Sequence, residues 1–186
     1  FDLSDINQST DGDLVLRLIR VEQLLQEIHY SSVATLAFVR GPCYGAAAEL
    51  VASCLWRVAE PNARFCMPGS HFGLILGSRR LTELVGEGGF RQLVFRDESF
   101  DAKEALESGF LTDIYEESGW PKIEEDILAR VGKVDALTFS RILSQQRGDL
   151  RDCDLAELVR SASRGSIKSR ILMYVNKIAD KKIQKT

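Results

Sequence analysis

Arg40-Gly41-Pro42-Cys43-Tyr44-Gly45-Ala46-Ala47-Ala48-Glu49-Leu50 is the stretch on which the reading of this chain turns. Before it, Val33 to Val39 (VATLAFV) is a short, nearly continuous apolar run, which suits a strand buried on both faces. Gly41-Pro42 breaks that strand, and the Ala-, Leu- and Glu-rich segment from Ala46 to Leu55 predicts a helix. The pattern is therefore strand, turn, helix. The first amides of a helix have no partner within it, and the helix dipole favours negative charge there. Glu49 falls one turn inside, among Ala and Leu, where partial desolvation would raise its pKa; without further information it reads as a helix-surface carboxylate.

Outward from this stretch the chain divides in two. Upstream, Leu14, Leu18, Val21, Leu25 and Ile28 recur at spacings of three and four, predicting an amphipathic helix over Asp13 to Tyr30 capped by Asp11 or Asp13. Downstream, Trp56 to Ala59 predicts a strand followed by a Pro61-Asn62 turn, and Phe65 to Gly77 reads mostly as loop. Short helices are expected over Arg79 to Val85, Gly89 to Phe95, and Ala102 to Glu107. The last is capped by Asp101 and ended by Gly109, and a short strand follows within Phe110 to Ile114. From Trp120-Pro121 the pattern is helical, with apolar stripes at Ile123/Ile127/Leu128/Val131, Leu137/Ile142/Leu143, Leu155/Leu158/Val159 and Ile171/Leu172/Val175/Ile178. The expected organisation is an α/β region over 1–118 and an all-helical region over 119–186.

Composition narrows the function classes. The chain has 186 residues, with 45% hydrophobic and 27% charged, which is globular rather than disordered. A net charge of −3 gives no general electrostatic case for nucleic acid, and no apolar run approaches a membrane span. Cys43, Cys54, Cys66 and Cys153 form no C-x-x-C pair; they read as reduced, small core residues in a cytoplasmic compartment, and no metal site is expected.

The stretch from Ala34 to Ile114 resembles the crotonase (enoyl-CoA hydratase/isomerase) superfamily. Arg40 to Leu50 is similar to that family's N-G-x-x-x-G-G-G-x-E-L turn into a helix. Cys54, Arg57, Ala59, Asn62-Ala63, Phe65 and Pro68 stand where the family has C-D-x-R-x-A-x-x-x-A-x-F-x-x-P-E. Phe72 to Gly77 resembles L-G-L-x-P-G, and Ser99 to Leu106 with Gly109-Phe110-Leu111 resembles I-S-A-x-E-A-x-x-x-G-L-V. Phe1-Asp2-Leu3 looks like the end of an S-G-x-D-L signature, so the family's first strands and helices would precede residue 1. The fold implied is a crotonase-like ββα spiral core lacking its first units, followed by a helical region. In the family such helices pack between the subunits of trimers or hexamers.

The resemblance implies an acyl-CoA thioester as substrate, stabilised as its enolate by two backbone N–H groups, with no cofactor beyond the coenzyme A of the substrate. The donors carried over are Ala46 and Phe1, with Tyr44, Gly45, Pro68 and Gly69 beside the substrate. Glu49 matches the first of two acid–base carboxylates. The second should follow Pro68, where this chain has Gly69, which has no side chain to move a proton. Two-carboxylate hydration and plain double-bond isomerisation both lose that group; related reactions such as decarboxylation, hydrolysis or C–C cleavage, or acyl-CoA binding without catalysis, are the alternatives. His71, two residues on, is the substitute acid or base, against a plain loop histidine. Arg79-Arg80 and the basic segment from Lys168 read as solvated helix faces rather than as contacts to a carboxylated acyl group or to coenzyme A phosphates. His29 suits the helix end at which it stands.

Overall fold

In the computed structural model the described residues are 2–96, 98–146 and 148–183. Phe1, carried over as a donor, lies outside them, as does Lys185 of the basic C-terminal segment.

The chain opens with helix α1, Asp11–His29. Its cap is Thr10, not Asp11 or Asp13: the Thr10 hydroxyl accepts from the Asp13 amide while the Asp13 carboxylate accepts from the Thr10 amide, so each satisfies a donor of the other. Strand β1, Leu36–Val39, follows, then β2, Pro42–Tyr44, and helix α2, Ala46–Ser53. The same order recurs as β3, Trp56–Ala59, β4, Arg64–Cys66, a 3-10 helix over Pro68–Phe72, and helix α3, Ser78–Val94. β1 pairs in parallel with β3 (Leu36 opposite Trp56), and β2 pairs in parallel with β4 (Pro42 opposite Arg64). Each strand–strand–helix unit thus adds one strand to each of two sheets. Strand β5, Phe100–Asp101, closes the second sheet antiparallel to β4; after helix α4, Ala102–Glu107, strand β6, Asp113–Ile114, joins the first beside β3.

Two expectations are corrected here. β1 is an edge strand of its sheet, so Leu36, Ala37 and Phe38 are half-buried rather than covered on both faces. Phe38 instead stacks on Trp120 at 4.8 Å. The segment from Phe65, read mostly as loop, begins in β4 and continues as the 3-10 helix. The expected break between Arg79–Val85 and Gly89–Phe95 is present: Gly86 has φ +70°, a left-handed conformation that ends one helical run and starts another within α3.

Helices α5, Trp120–Val131, α6, Ala136–Gln146, α7, Arg151–Ala162, and α8, Ile167–Ile183, complete the chain. They do not share one fate. α7 and α8 return onto α1 and the 3-10 helix, where Leu158, Ala162, Ile167 and Ile171 meet Leu14, Leu18 and Leu74 in one buried cluster. α5 and α6 bury only Ile127 and Leu143. The other buried cluster lies between the sheets, α2 and α3, around the mutually contacting rings of Phe65, Phe100 and Phe110. Cys43 and Cys54 are core residues as expected, but Cys66 is half-buried and Cys153 exposed.

Candidate active site

The site is built from the start of α2. Gly45, its N-cap, has φ +59°, and its amide donates to the Cys66 carbonyl at 2.8 Å, which ties the turn to β4. A side chain would be strained at that φ, so the turn needs glycine. No side chain caps α2, and among the described residues the Ala46 N–H has no acceptor. Glu49 lies three positions on, over the same face.

Both open on a cavity of about 290 Å³ at the junction of the two buried clusters. Tyr44, Gly45, Ala46 and Glu49 form one side; Met67, Pro68, Gly69 and Ser70 form the next. Leu18 of α1, Leu81, Phe90 and Val94 of α3, and Ile171, Tyr174 and Val175 of α8 complete an almost wholly apolar wall. Six of the site residues taken from the sequence are thus brought together: Glu49, Ala46, Tyr44, Gly45, Pro68 and Gly69. His71 is not among them. It is exposed on the 3-10 helix, outside the cavity lining, with its ring edge-on to Tyr174 at 6.0 Å. The 3-10 turn puts Ser70 and Phe72 on the cavity lining and leaves His71 exposed beside Tyr174.

The Glu49 carboxylate lies against Gly77, the N-cap of α3, in the space any side chain at 77 would fill. Among the described residues no hydrogen bond reaches it. Burial pushes its pKa up to about 8; the Arg80 cation works against that rise and the Glu22 anion adds to it. The carboxyl is therefore poised to gain or lose a proton near neutral pH.

Arg79 and Arg80 are not a solvated face. Arg80 is buried and forms two bonds to Glu22, at 2.6 and 2.7 Å. Arg79 holds Asp154 at 2.9 Å. The sequence carried no signal for this, because Glu22 and Asp154 stand on α1 and α7, far away along the chain. In the basic C-terminal segment Lys168 donates to the Asn7 and Ser9 carbonyls, and Arg170 to those of Phe72, Gly73, Ser161 and Ala162. These two tie α8 down instead of facing solvent alone. Among the described residues no group of His, Cys, Asp and Glu could hold a metal ion, and no helix is long and apolar enough to cross a membrane.

Parallel strands feeding helices, with the N-terminus of α2 and the Glu49 carboxyl opening together on one apolar cavity, define an α/β protein with a ligand-sized site at that junction. The enoyl-CoA hydratase/isomerase family model matches residues 2–132. A crystal structure of a putative enoyl-CoA hydratase/isomerase from Bordetella parapertussis superposes with a TM-score of 0.91 at 38% identity, covering 94% of this chain and 73% of that one. The chain belongs to the enoyl-CoA hydratase/isomerase family, within the crotonase superfamily, and has its fold. Among curated proteins it is 27% identical over 142 residues to the mitochondrial delta(3,5)-delta(2,4)-dienoyl-CoA isomerase of Dictyostelium discoideum, covering 74% of this chain and 46% of that protein. It is 33% identical over 99 residues to the short-chain-enoyl-CoA hydratase of Clostridium acetobutylicum, covering 52% of this chain and 38% of that protein. The chain thus spans less than half the length of the curated relatives it matches.

Proposed function

We propose that this protein is an enoyl-CoA hydratase/isomerase-like enzyme in which Glu49 alone moves the proton. The observation that carries this is the convergence of the Ala46 N–H and the Glu49 carboxyl on one apolar cavity. The thioester carbonyl oxygen accepts from the Ala46 amide, which strengthens as negative charge develops there. Ionised Glu49 takes a proton from water as the water oxygen bonds to the β-carbon, the double-bond electrons moving into the thioester enolate. Neutral Glu49 then returns that proton to the α-carbon, so that water has added across the bond. Phe1, carried over as a second donor, lies outside the described residues. The family's second carboxylate is replaced by Gly69, so one group serves both transfers. No cofactor is needed beyond the coenzyme A of the substrate, and self-association into trimers or hexamers through the helical region completes the reading.

Gly69 also favours a second reading, acyl-CoA binding without turnover. Hydration of crotonyl-CoA, followed as loss of the conjugated thioester absorbance, separates the two. Activity that falls about 100-fold or more in Glu49→Gln supports the enzyme; full activity in that variant removes Glu49 from the chemistry. A Cβ at Gly69 would meet the Leu74 carbonyl oxygen at 3.4 Å, an ordinary contact, so the backbone there accepts a side chain and Gly69→Glu is the complementary variant. If only Gly69→Glu is active, the protein as it stands is a binder.

A further inference from the structure

Behind the cavity wall lies a buried charge cluster that the reaction above does not use. The side chains of Glu22 and Arg80 are 1% and 2% exposed. Gln26 donates to Glu22 at 2.8 Å, and Asp154 accepts from Arg80 at 3.2 Å while also held by Arg79. The Arg80 Nε–H is buried with no acceptor among the described residues. Glu22 is one turn beyond Leu18, and Arg80 adjoins Leu81; both leucines line the cavity. Gly77, against which the Glu49 carboxylate rests, is three residues before Arg80. The pair therefore stands within one helical turn of residues that line the cavity or touch the Glu49 carboxylate.

Buried ion pairs contribute little net stability, because desolvation offsets their attraction, and an apolar replacement often does as well. Their charges act strongly on a neighbour in the same low-dielectric interior. We propose that the Glu22–Arg80 pair is a positioning device for Glu49: Arg80 supplies the counter-charge to the ionised carboxylate, and Glu22 sets how much of that charge Glu49 feels. This rests on the reading of Glu49 as the acid–base group. The other titratable side chains that line the cavity with Glu49 are Tyr44 on β2 and Tyr174 on α8, and Arg79 on α3 and Asp154 on α7 belong to the charge cluster itself. His71 on the 3-10 helix lies outside the cavity lining. Both arginines are ion-paired, Arg79 with Asp154 and Glu83 and Arg80 with Glu22 and Asp154, and Arg80 is the cation that opposes the effect of burial on Glu49.

The signs follow from charge alone. Arg80→Met removes the cation and leaves the Glu22 anion, so Glu49 ionises at higher pH. Glu22→Gln leaves Arg80 less neutralised, so Glu49 ionises at lower pH. The double variant Glu22→Leu/Arg80→Leu removes both charges, so its midpoint falls between those of the two single variants. Damage to packing has no reason to move the two single variants in opposite directions.

The test is a 13C NMR titration of glutamate carboxyls in the whole protein, the Glu49 signal being the one lost in Glu49→Gln, with the pH profile of kcat/KM beside it. The expected result is a midpoint raised by about one pH unit in Arg80→Met and lowered by about one in Glu22→Gln. Arg80→Lys should return toward the parent. Midpoints that move the same way, or not at all, overturn the proposal. If Arg80→Met does not fold, Glu22→Gln decides: a lowered midpoint upholds the proposal, and a raised or unmoved one overturns it. Opposite NMR shifts with an unmoved rate profile would uphold the pair's hold on Glu49 and sink the acid–base role itself.

Discussion

The Glu49 carboxylate depends on an absence. It occupies the space beside Gly77 that any Cβ would take, and Gly77 has φ +66°, which disfavours other residues on its own account. Gly77→Ala should therefore cost about 1–2 kcal/mol in urea unfolding and push the carboxylate aside. Displacing a reacting group by about 1 Å costs about 100-fold in rate, so kcat should fall by that much while KM changes little. Steady-state hydration kinetics check this, and an unchanged kcat would mean that Glu49 need not sit where it does. At this scale the sequence was informative wherever a residue acts through its local backbone. The turn into α2 is readable from Gly41 to Ala46, whereas the roles of Ala46 and Glu49 came from the family resemblance, since by its spacing alone Glu49 reads as a helix-surface carboxylate. Arg80 was not readable, since its burial is set by Glu22 on another helix. Nor was the exposure of His71, which follows from the 3-10 turn over Pro68–Phe72, a segment read from the sequence mostly as loop.

Among the elements, α8 is the one from the C-terminal helical region that reaches the site, where Ile171, Tyr174 and Val175 line the cavity. It is held by Arg170, which donates to carbonyls at the end of α7 and after the 3-10 helix. Arg170→Met keeps the apolar stem and leaves those carbonyls without their donor. The expected outcome is amide hydrogen exchange at least about 10-fold faster in α8, with α2 and the sheets unchanged; equal protection in α8 would show that Arg170 is not the clasp. The long helices were legible from their 3.6-residue period, and the Asp101 cap and Gly109 stop marked α4, where the structure adds Glu104 as the other half of a capping box. Strands β2, β4 and β5 are two or three residues long, too short to show any period. They exist because partners across the sheet satisfy their backbone groups, information that is not local.

For the molecule as a whole, the two clusters meet at the cavity, so the stability of the fold and the state of the site are linked. Glu49 has a pKa raised to about 8 in the folded chain, and in the unfolded chain it returns to the ordinary glutamate value of 4.5. The folded state therefore binds the extra proton between those values. Stability from this group is complete below about 4.5 and is lost as pH rises through 8, by at most about 1.4 kcal/mol per pH unit. Urea unfolding at pH 5.5 and pH 8 should show that loss in the parent and a smaller one in Glu49→Gln, which has no proton to lose. The helical region was legible as helical, but not its division of labour. α7 and α8 pack on α1 through Leu158, Ala162, Ile167 and Ile171, though Met173 of α8 stays exposed, while Leu128, Leu137 and Ile142 on α5 and α6 stay 61%, 63% and 47% exposed. A trimer or hexamer is the proposed cover for those faces. The central claim, that Glu49 is the single proton-moving group of an enoyl-CoA hydratase-like site, is tested most directly by kcat/KM for crotonyl-CoA hydration across pH 5 to 10. Because ionised Glu49 must accept the proton of water, the rate should rise with pH to a plateau above about 8 and be nearly abolished in Glu49→Gln. A profile that is flat through that range, or is kept in full by Glu49→Gln, would contradict it.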